Sequence, residues 1–370
     1  MPICFDGNSS GHELLATNRV RGRLSSEFQE RAGRCITIGL INNMPDAALE
    51  ATERQFLTLL NSASDGVLVR LSLYALPEVP RNDASQRHVS RFYDSIENLW
   101  NSQLDGLIVT GREPRTPNMR NEPYWESLTR TQEWANENTY STVWSCLAAH
   151  AALLHADGID RRKSDNKHFG VFECERLSDH QLMAGIPLHL KMPHSRWNGI
   201  TEDELTACGY SVLTRSQDAG VDTFIKQRRS LFVFFQGHPE YESETLLLEY
   251  RRDIRRYLRG ETDTYPSMPR SYFDKDTADA LTALREKAMS GGREERLSDV
   301  AAAIGEEGIV NTWRSTAARV YRNWLEYICA QKERRLRKGR IATIVRGCGV
   351  DSTLGLAAAI DLSPARPARS

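Results

Sequence analysis

Residues 140–154, YSTVWSCLAAHAALL, decide the predicted fold, because a short apolar strand meets a cysteine and an alanine-rich helix follows at once. Cys146 stands at the junction. This is the layout of a nucleophile elbow, in which the reactive side chain occupies a tight turn between strand and helix. The positive end of a helix favours a thiolate. The residue pattern also allows Cys146 to be a buried small hydrophobe, the usual role of a free cysteine.

A second apolar strand, residues 231–235, runs into the sequence Gly-His-Pro-Glu. His238 follows this strand, and Glu240 is close enough in sequence to orient its ring. Glu240 is equally suited to stabilise the start of the next helix. A cysteine, a histidine and a glutamate in this order indicate acyl transfer through a thioester.

Strands and helices alternate along residues 35–146. The pattern predicts an α/β fold, with a doubly wound, mostly parallel sheet covered by helices on both faces. Ligands in such folds bind at the carboxyl ends of the strands. Gly111, Cys146 and Gly237 each follow a predicted strand, so we expect them to meet at that edge. The predicted elements in this part are strands at 35–41, 67–74 and 107–110 and helices at 46–60, 89–100 and 124–136.

The rest of the chain suggests shorter strands, added C-terminal helices and two atypical ends. We predict a loosely ordered N-terminal arm over residues 1–33 and one catalytic domain over 34–330. That domain contains a helical insertion at about 274–308. From residue 331 the chain is basic and then rich in small residues and proline, which predicts a poorly ordered tail over 331–370.

Composition narrows the class of protein. The chain has 370 residues, a net charge of -1 and no apolar run long enough to span a membrane, so neither a nucleic-acid nor a membrane partner is expected. With no secretory pattern at the N-terminus, we predict a cytoplasmic protein. Its seven scattered cysteines lack the spacing of a metal site or a disulfide framework. They are Cys4, Cys35, Cys146, Cys174, Cys208, Cys329 and Cys348.

Over residues 34–330 the chain resembles the homoserine O-succinyltransferase family, whose members transfer succinyl or acetyl from coenzyme A to homoserine in methionine biosynthesis. The resemblance implies a flavodoxin-like domain related to class I glutamine amidotransferases. It also implies homoserine and acyl-CoA as small-molecule substrates, with no bound cofactor. A homodimer is compatible with it. The motifs that carry the resemblance are NNMPDAALEATERQFLTLL, DGLIVTG, YWESL, PHSRW, GHPEYE, EYRRD, TWRS and NWLEY.

Motif by motif, the resemblance implies roles for individual residues. The catalytic set is Cys146, His238 and Glu240, and the substrate-binding set is Lys167, Ser195 and Arg252. Glu249 and Arg252 are candidates to grip the ammonium and carboxylate of an amino acid. The predicted oxyanion hole consists of the backbone N–H of Leu147 and one from the loop at Arg112.

The loop after Gly111 bears on the choice of acyl group. The family separates acetyl from succinyl users at a position that falls on Arg115 in this chain. A guanidinium there can pair with the distal carboxylate of a succinyl group, so we predict succinyl transfer. Alternatives are an amidotransferase or hydrolase on the same fold, an O-acyltransferase for another hydroxy amino acid, and a non-catalytic regulator.

Overall fold

The computed structural model of this chain describes residues 3–4, 34–289, 309 and 311–347, and a ten-stranded sheet runs through them. Its strands are β1 (Ile3–Cys4), β2 (Cys35–Ile41), β3 (Leu68–Tyr74), β4 (Gly106–Thr110), β5 (Ser141–Ser145), β6 (Arg162–Arg176), β7 (His189–Gly199), β8 (Ser211–Ser216), β9 (Gly220–Gln227) and β10 (Leu231–Phe235). Their order across the sheet is β1-β3-β2-β4-β5-β10-β9-β8-β6-β7.

The helices connect or follow these strands. They are α1 (Leu49–Ala63), α2 (Asp83–Phe92), α3 (Ile96–Trp100), α4 (Trp125–Asn138), α5 (Leu147–Asp157), α6 (Glu202–Ala207), α7 (Thr245–Leu258), α8 (Lys275–Met289) and α9 (Arg314–Gly347).

The strand order confirms the predicted flavodoxin-like α/β class. Strands β3, β2, β4, β5 and β10 are neighbours in this order and pair in parallel, which is the arrangement 2-1-3-4-5 of a flavodoxin-like sheet. From β10 to β7 the pairing is antiparallel. The antiparallel half was predicted only as a set of short, mixed strands.

The parallel strands are buried on both faces, as their continuous apolar runs predict. In β5, Val143 joins the core under α1 and α9, whereas its neighbour Trp144 joins the core under α4 and α5. This alternation follows from the two-residue period of a strand. A third apolar cluster lies between α7, α8 and the residues around Phe169 of β6.

The tryptophans of the TWRS and NWLEY motifs hold the segments at Tyr241 and Ser141 in place. Trp313 donates its indole N–H to the carbonyl of Tyr241 (2.9 Å), and Trp324 donates to the hydroxyl of Ser141 (2.9 Å). Both indoles are buried, so each N–H needs such an acceptor.

Two local predictions were wrong. The helix expected over residues 89–100 is two helices, because Asp94 pairs with Tyr74 at the sheet and Ser95 then caps α3 through the N–H of Glu97 (3.3 Å). The helix expected over residues 46–60 begins only at Leu49, after a short 3-10 turn over Asp46–Ala48. The carboxylate of Asp46 accepts from the N–H of Asn82 (3.0 Å), in the loop before α2.

The chain splits into two units, Met1–Ala330 and Gln331–Ser370. Ile3 and Cys4 are buried and pair with β3, while the rest of the predicted arm, residues 290–308 of the predicted insertion and residues 348–370 lie outside the described residues. Residues 331–347 are helical as part of α9, and lysine, arginine and glutamate are good helix formers. The poorly ordered tail over 331–370 stays a prediction. In the described part of the chain, none of the helices has the length and apolarity needed to cross a bilayer.

Candidate active site

Three neighbouring parallel strands end at the same level of the sheet. Thr110 of β4 is in register with Ser145 of β5, and Ser145 is in register with Phe235 of β10. The residues that follow, including Gly111 and Cys146, therefore lie side by side at the carboxyl edge. The predicted convergence of these strand ends is confirmed.

Cys146 occupies a strained turn between β5 and α5. Its backbone angles are φ 51° and ψ -112°, a region that costs a residue with a side chain about 1–3 kcal/mol. The turn is held by the N–H of Cys146, which donates to the carbonyl of Phe235 (2.7 Å). Such strain is typical of a nucleophile elbow, since the sharp turn lifts the side chain clear of the sheet. The thiol is partly exposed.

The imidazole of His238 is paired with its predicted carboxylate. Its Nδ1 lies 2.8 Å from Oε1 of Glu240, and both side chains are buried. Burial acts to lower the pKa of His238, but the charges of Cys146 and Glu240 and their hydrogen bonds hold that pKa well above its ordinary value. An imidazole in this setting can accept the thiol proton and keep the charge that results.

The loop after β4 lies against the start of α5. A Cβ added to Gly111 would be 2.2 Å from the backbone N of Ala148 and 2.5 Å from the carbonyl carbon of Leu147. Only glycine permits this approach. It brings the backbone at Gly111 and Arg112 beside the first N–H groups of α5, which have no acceptor within their own helix.

A buried polar network supports the segment before His238. Asp222 accepts the N–H of Gly237 at Oδ1 (3.2 Å) and the hydroxyl of Thr214 at Oδ2 (2.7 Å). Nε2 of His194 lies 3.4 Å from the same Oδ1. The backbone N–H of His238 donates to the carbonyl of Pro193 (2.8 Å), so strands β7 and β9 both fix the position of the imidazole.

Part of this network has the composition of a metal site. Cys174, His194 and Asp222 each offer one ligand atom, and these atoms lie within 4.8 Å of one another. However, the buried guanidinium of Arg196 donates from Nε to Nδ1 of His194 (3.2 Å), and its fixed positive charge opposes a cation there. We therefore assign the cluster to the support of the strand end.

The predicted substrate-binding residues meet around Glu249 of α7. Its Oε2 accepts from the hydroxyl of Ser195 (2.5 Å) and lies 3.5 Å from Nζ of Lys167 and 3.7 Å from Nη2 of Arg252. Lys167 also lies 3.6 Å from a carboxylate oxygen of Asp253. Three separate elements, β6, β7 and α7, thus bring two carboxylates and two cations together.

Tyr241 joins the two groups of residues. Its ring stacks on His238 with centroids 4.2 Å apart, and its hydroxyl donates to Oε1 of Glu249 (2.7 Å). Tyr241 is a residue of the site that the sequence patterns did not indicate. Its position directly after Glu240 in the GHPEYE motif was the available signal. The predicted acyl-specificity residue, Arg115, lies exposed in the loop after β4.

Fold and site together define a class: an α/β protein in which a thiol, an imidazole and a carboxylate meet at the carboxyl edge of a parallel sheet, as in enzymes of acyl transfer. The family described as homoserine O-succinyltransferase matches residues 2–335. This chain therefore belongs to the homoserine O-succinyltransferase family, and the resemblance seen in its motifs is confirmed.

Relatives in that family are similar over nearly their whole length. The homoserine O-succinyltransferase of Rhodopseudomonas palustris is 47% identical over 326 residues, which are 88% of this chain and 98% of that protein. That of Bradyrhizobium japonicum is 44% identical over 296 residues, 79% of this chain and 90% of that protein. Among solved structures, a glutamine amidotransferase from Thermotoga maritima matches 80% of this chain and 98% of its own, with 10% identity and a TM-score of 0.44.

Proposed function

We propose that this protein is an acyl-CoA-dependent homoserine O-acyltransferase of methionine biosynthesis, with succinyl-CoA as the preferred donor. The family and the names of the relatives support the reaction and the donor. The observation that carries the mechanism is the contact of His238 with both Cys146 and Glu240 at adjacent strand ends. This arrangement suits a two-step transfer through a cysteine thioester.

In the first step, Sγ of Cys146 attacks the thioester carbon of the donor while His238 takes the thiol proton. The oxyanion of the tetrahedral intermediate accepts hydrogen bonds from the backbone N–H groups of Leu147 and Arg112. The bond to the sulfur of coenzyme A then breaks, and His238 returns its proton to that sulfur. Glu240 stabilises the imidazolium in between.

In the second step, the hydroxyl oxygen of homoserine attacks the Cys146 thioester and gives its proton to His238. Collapse of the intermediate breaks the carbon–sulfur bond, releases the O-acyl product and regenerates the thiol with the proton from His238. Water attacking in place of homoserine would waste the acyl group, so the acceptor must be bound in position.

The cluster around Glu249 suits that binding task. A carboxylate at Glu249 can receive the ammonium of homoserine, and the guanidinium of Arg252 can pair with its carboxylate. Arg252 is more than half exposed, so its guanidinium is accessible to a substrate. Lys167 and Ser195 hold Glu249 in place, and Tyr241 couples it to the base.

An Arg252→Ala variant is expected to raise KM for homoserine about 10- to 100-fold, the effect of losing one charge-assisted hydrogen bond. The rate of enzyme acylation in the absence of homoserine should stay unchanged, because Arg252 acts only on the acceptor. Arg255→Ala, an exposed arginine one turn further along α7, is the matched control. Equal slowing of acylation would contradict the assignment.

The proposed reaction is tested with purified protein, homoserine and either succinyl-CoA or acetyl-CoA, following release of coenzyme A. We expect a higher kcat/KM for succinyl-CoA. A preference for acetyl-CoA would contradict the donor. Turnover with another hydroxy amino acid but none with homoserine would contradict the acceptor.

A further inference from the structure

Buried hydrogen-bond donors without acceptors lie beside the loop that follows β4. They are Nε and Nη1 of Arg112, Nη1 of Arg161 and the hydroxyl of Tyr124, none of which has a hydrogen-bond partner among the described residues. We call these three residues the Arg112 cluster. Burying a guanidinium N–H without an acceptor is costly, so such a group is suited to an anion that supplies the missing acceptors.

The members of the Arg112 cluster border the same loop and act on one another through their charges. Nη2 of Arg161 donates to the carbonyl of Pro117 at 3.4 Å, which places Arg161 against the same loop. Burial and then the charge of Glu122 raise the pKa of Tyr124 to about 12, and the charges of both arginines oppose that rise. Both guanidinium groups therefore act on the phenol.

One carboxylate of the protein also faces this region. Oε1 of Glu122 accepts from the N–H (2.7 Å) and the hydroxyl (3.0 Å) of Thr116, and its Oε2 is buried without a partner. Glu113 is exposed. Two guanidinium groups and one buried carboxylate give the Arg112 cluster a net positive charge. The cluster also has more unpaired hydrogen-bond donors than unpaired acceptors.

The loop that carries Arg112 is packed through its backbone against the start of the helix that follows Cys146. Gly111, the residue before Arg112, is packed against the backbone of Leu147 and Ala148, directly after Cys146. Within the first turns of α5, His150 is buried, and burial followed by the charges of Arg196 and Arg161 lowers its pKa to about 3. The charge of Arg161 therefore reaches the start of the helix that carries Cys146.

We propose that the Arg112 cluster binds the distal carboxylate of the acyl group, with Arg112 as its principal partner. This inference rests on the proposed function, because it presupposes an acyl group on Cys146. An extended four-carbon diacid spans about 4 Å between its terminal carbons, a length suited to a partner one residue beyond Gly111. Arginine presents two parallel N–H donors to a carboxylate, whereas Arg115 is exposed to solvent.

The test compares succinyl-CoA with butyryl-CoA, which has the same chain length and no distal carboxylate, with homoserine as acceptor. In Arg112→Met, which keeps the backbone N–H, the ratio of kcat/KM for succinyl-CoA to that for butyryl-CoA is expected to fall about 10- to 100-fold, because any effect on the oxyanion hole acts on both donors alike. Arg112→Lys should restore part of the preference, since the charge returns without the paired donors. Arg120→Met, in the exposed part of the same loop, is the control.

The melting temperature separates recognition from a structural role. Removing a guanidinium whose buried Nε and Nη1 lack partners should leave the melting temperature of Arg112→Met unchanged or higher. An equal fall for both donors, or a loss of selectivity in Arg115→Met but not in Arg112→Met, would overturn the inference. Absence of turnover by the native protein with every donor would instead overturn the proposed function.

Discussion

In a His238→Ala variant, kcat for acyl transfer is expected to fall about a thousandfold or more, within the range of lost general acid–base catalysis. The reason is that His238 moves a proton in both proposed steps. Steady-state release of coenzyme A measures the effect. His189→Ala, an exposed histidine on β7, should behave like the native protein.

Glu240→Gln tests whether Glu240 raises the pKa of His238. The charge of Glu240 helps to hold the pKa of His238 above its ordinary value, so removing that charge should lower this pKa. The shift can be followed by NMR titration of the imidazole, together with a smaller fall in kcat than in His238→Ala. An unchanged pKa, or near-native turnover in His238→Ala, would contradict the assignment of the base.

Gly111→Ala is expected to lower kcat about 100- to 1000-fold, the usual effect of losing one oxyanion donor. The added methyl would lie 2.2 Å from the backbone N of Ala148, and backbone cannot move aside as a flexible side chain can. The loop must therefore shift away from the helix start, which displaces the N–H of Arg112. Binding of homoserine, more remote from this contact, should change little.

Gly106→Ala provides the contrast, because Gly106 opens the strand that Gly111 follows. A methyl there would meet the side chains of Ile38 and Ile328 at 2.8 Å and 2.7 Å, in the apolar core. We expect a lower melting temperature with little change in kcat per folded molecule. If Gly111→Ala also lowered only the melting temperature, its role would be packing rather than catalysis.

Most of the fold followed from local patterns in the sequence. Strands β2 and β10 were predicted with the bounds that the structure has, because both are continuous apolar runs with sharp polar ends. The meeting of Gly111 and Cys146 followed from the geometry of parallel strands, which requires no knowledge of side-chain positions.

The rest depended on side-chain contacts that no periodic pattern encodes. Tyr241 couples His238 to Glu249 across the turn between β10 and α7, by ring stacking on one side and a hydrogen bond on the other. No pattern in the sequence marks Asp222 as a buried residue, although its side chain is fully buried. In the loop after β4, the specificity position of the family fell on Arg115. The buried nitrogens without hydrogen-bond partners belong to Arg112 instead.

Intact-protein mass spectrometry after mixing the protein with succinyl-CoA, without homoserine, tests the central claim most directly. We predict one added succinyl group, located on Cys146 by peptide mapping and discharged when homoserine is added. Cys146→Ser should carry no thioester, and Cys208→Ser, at another partly exposed free thiol, should be acylated like the native protein. An undiminished adduct on Cys146→Ser, or turnover of succinyl-CoA and homoserine without any acyl-enzyme, would contradict the mechanism.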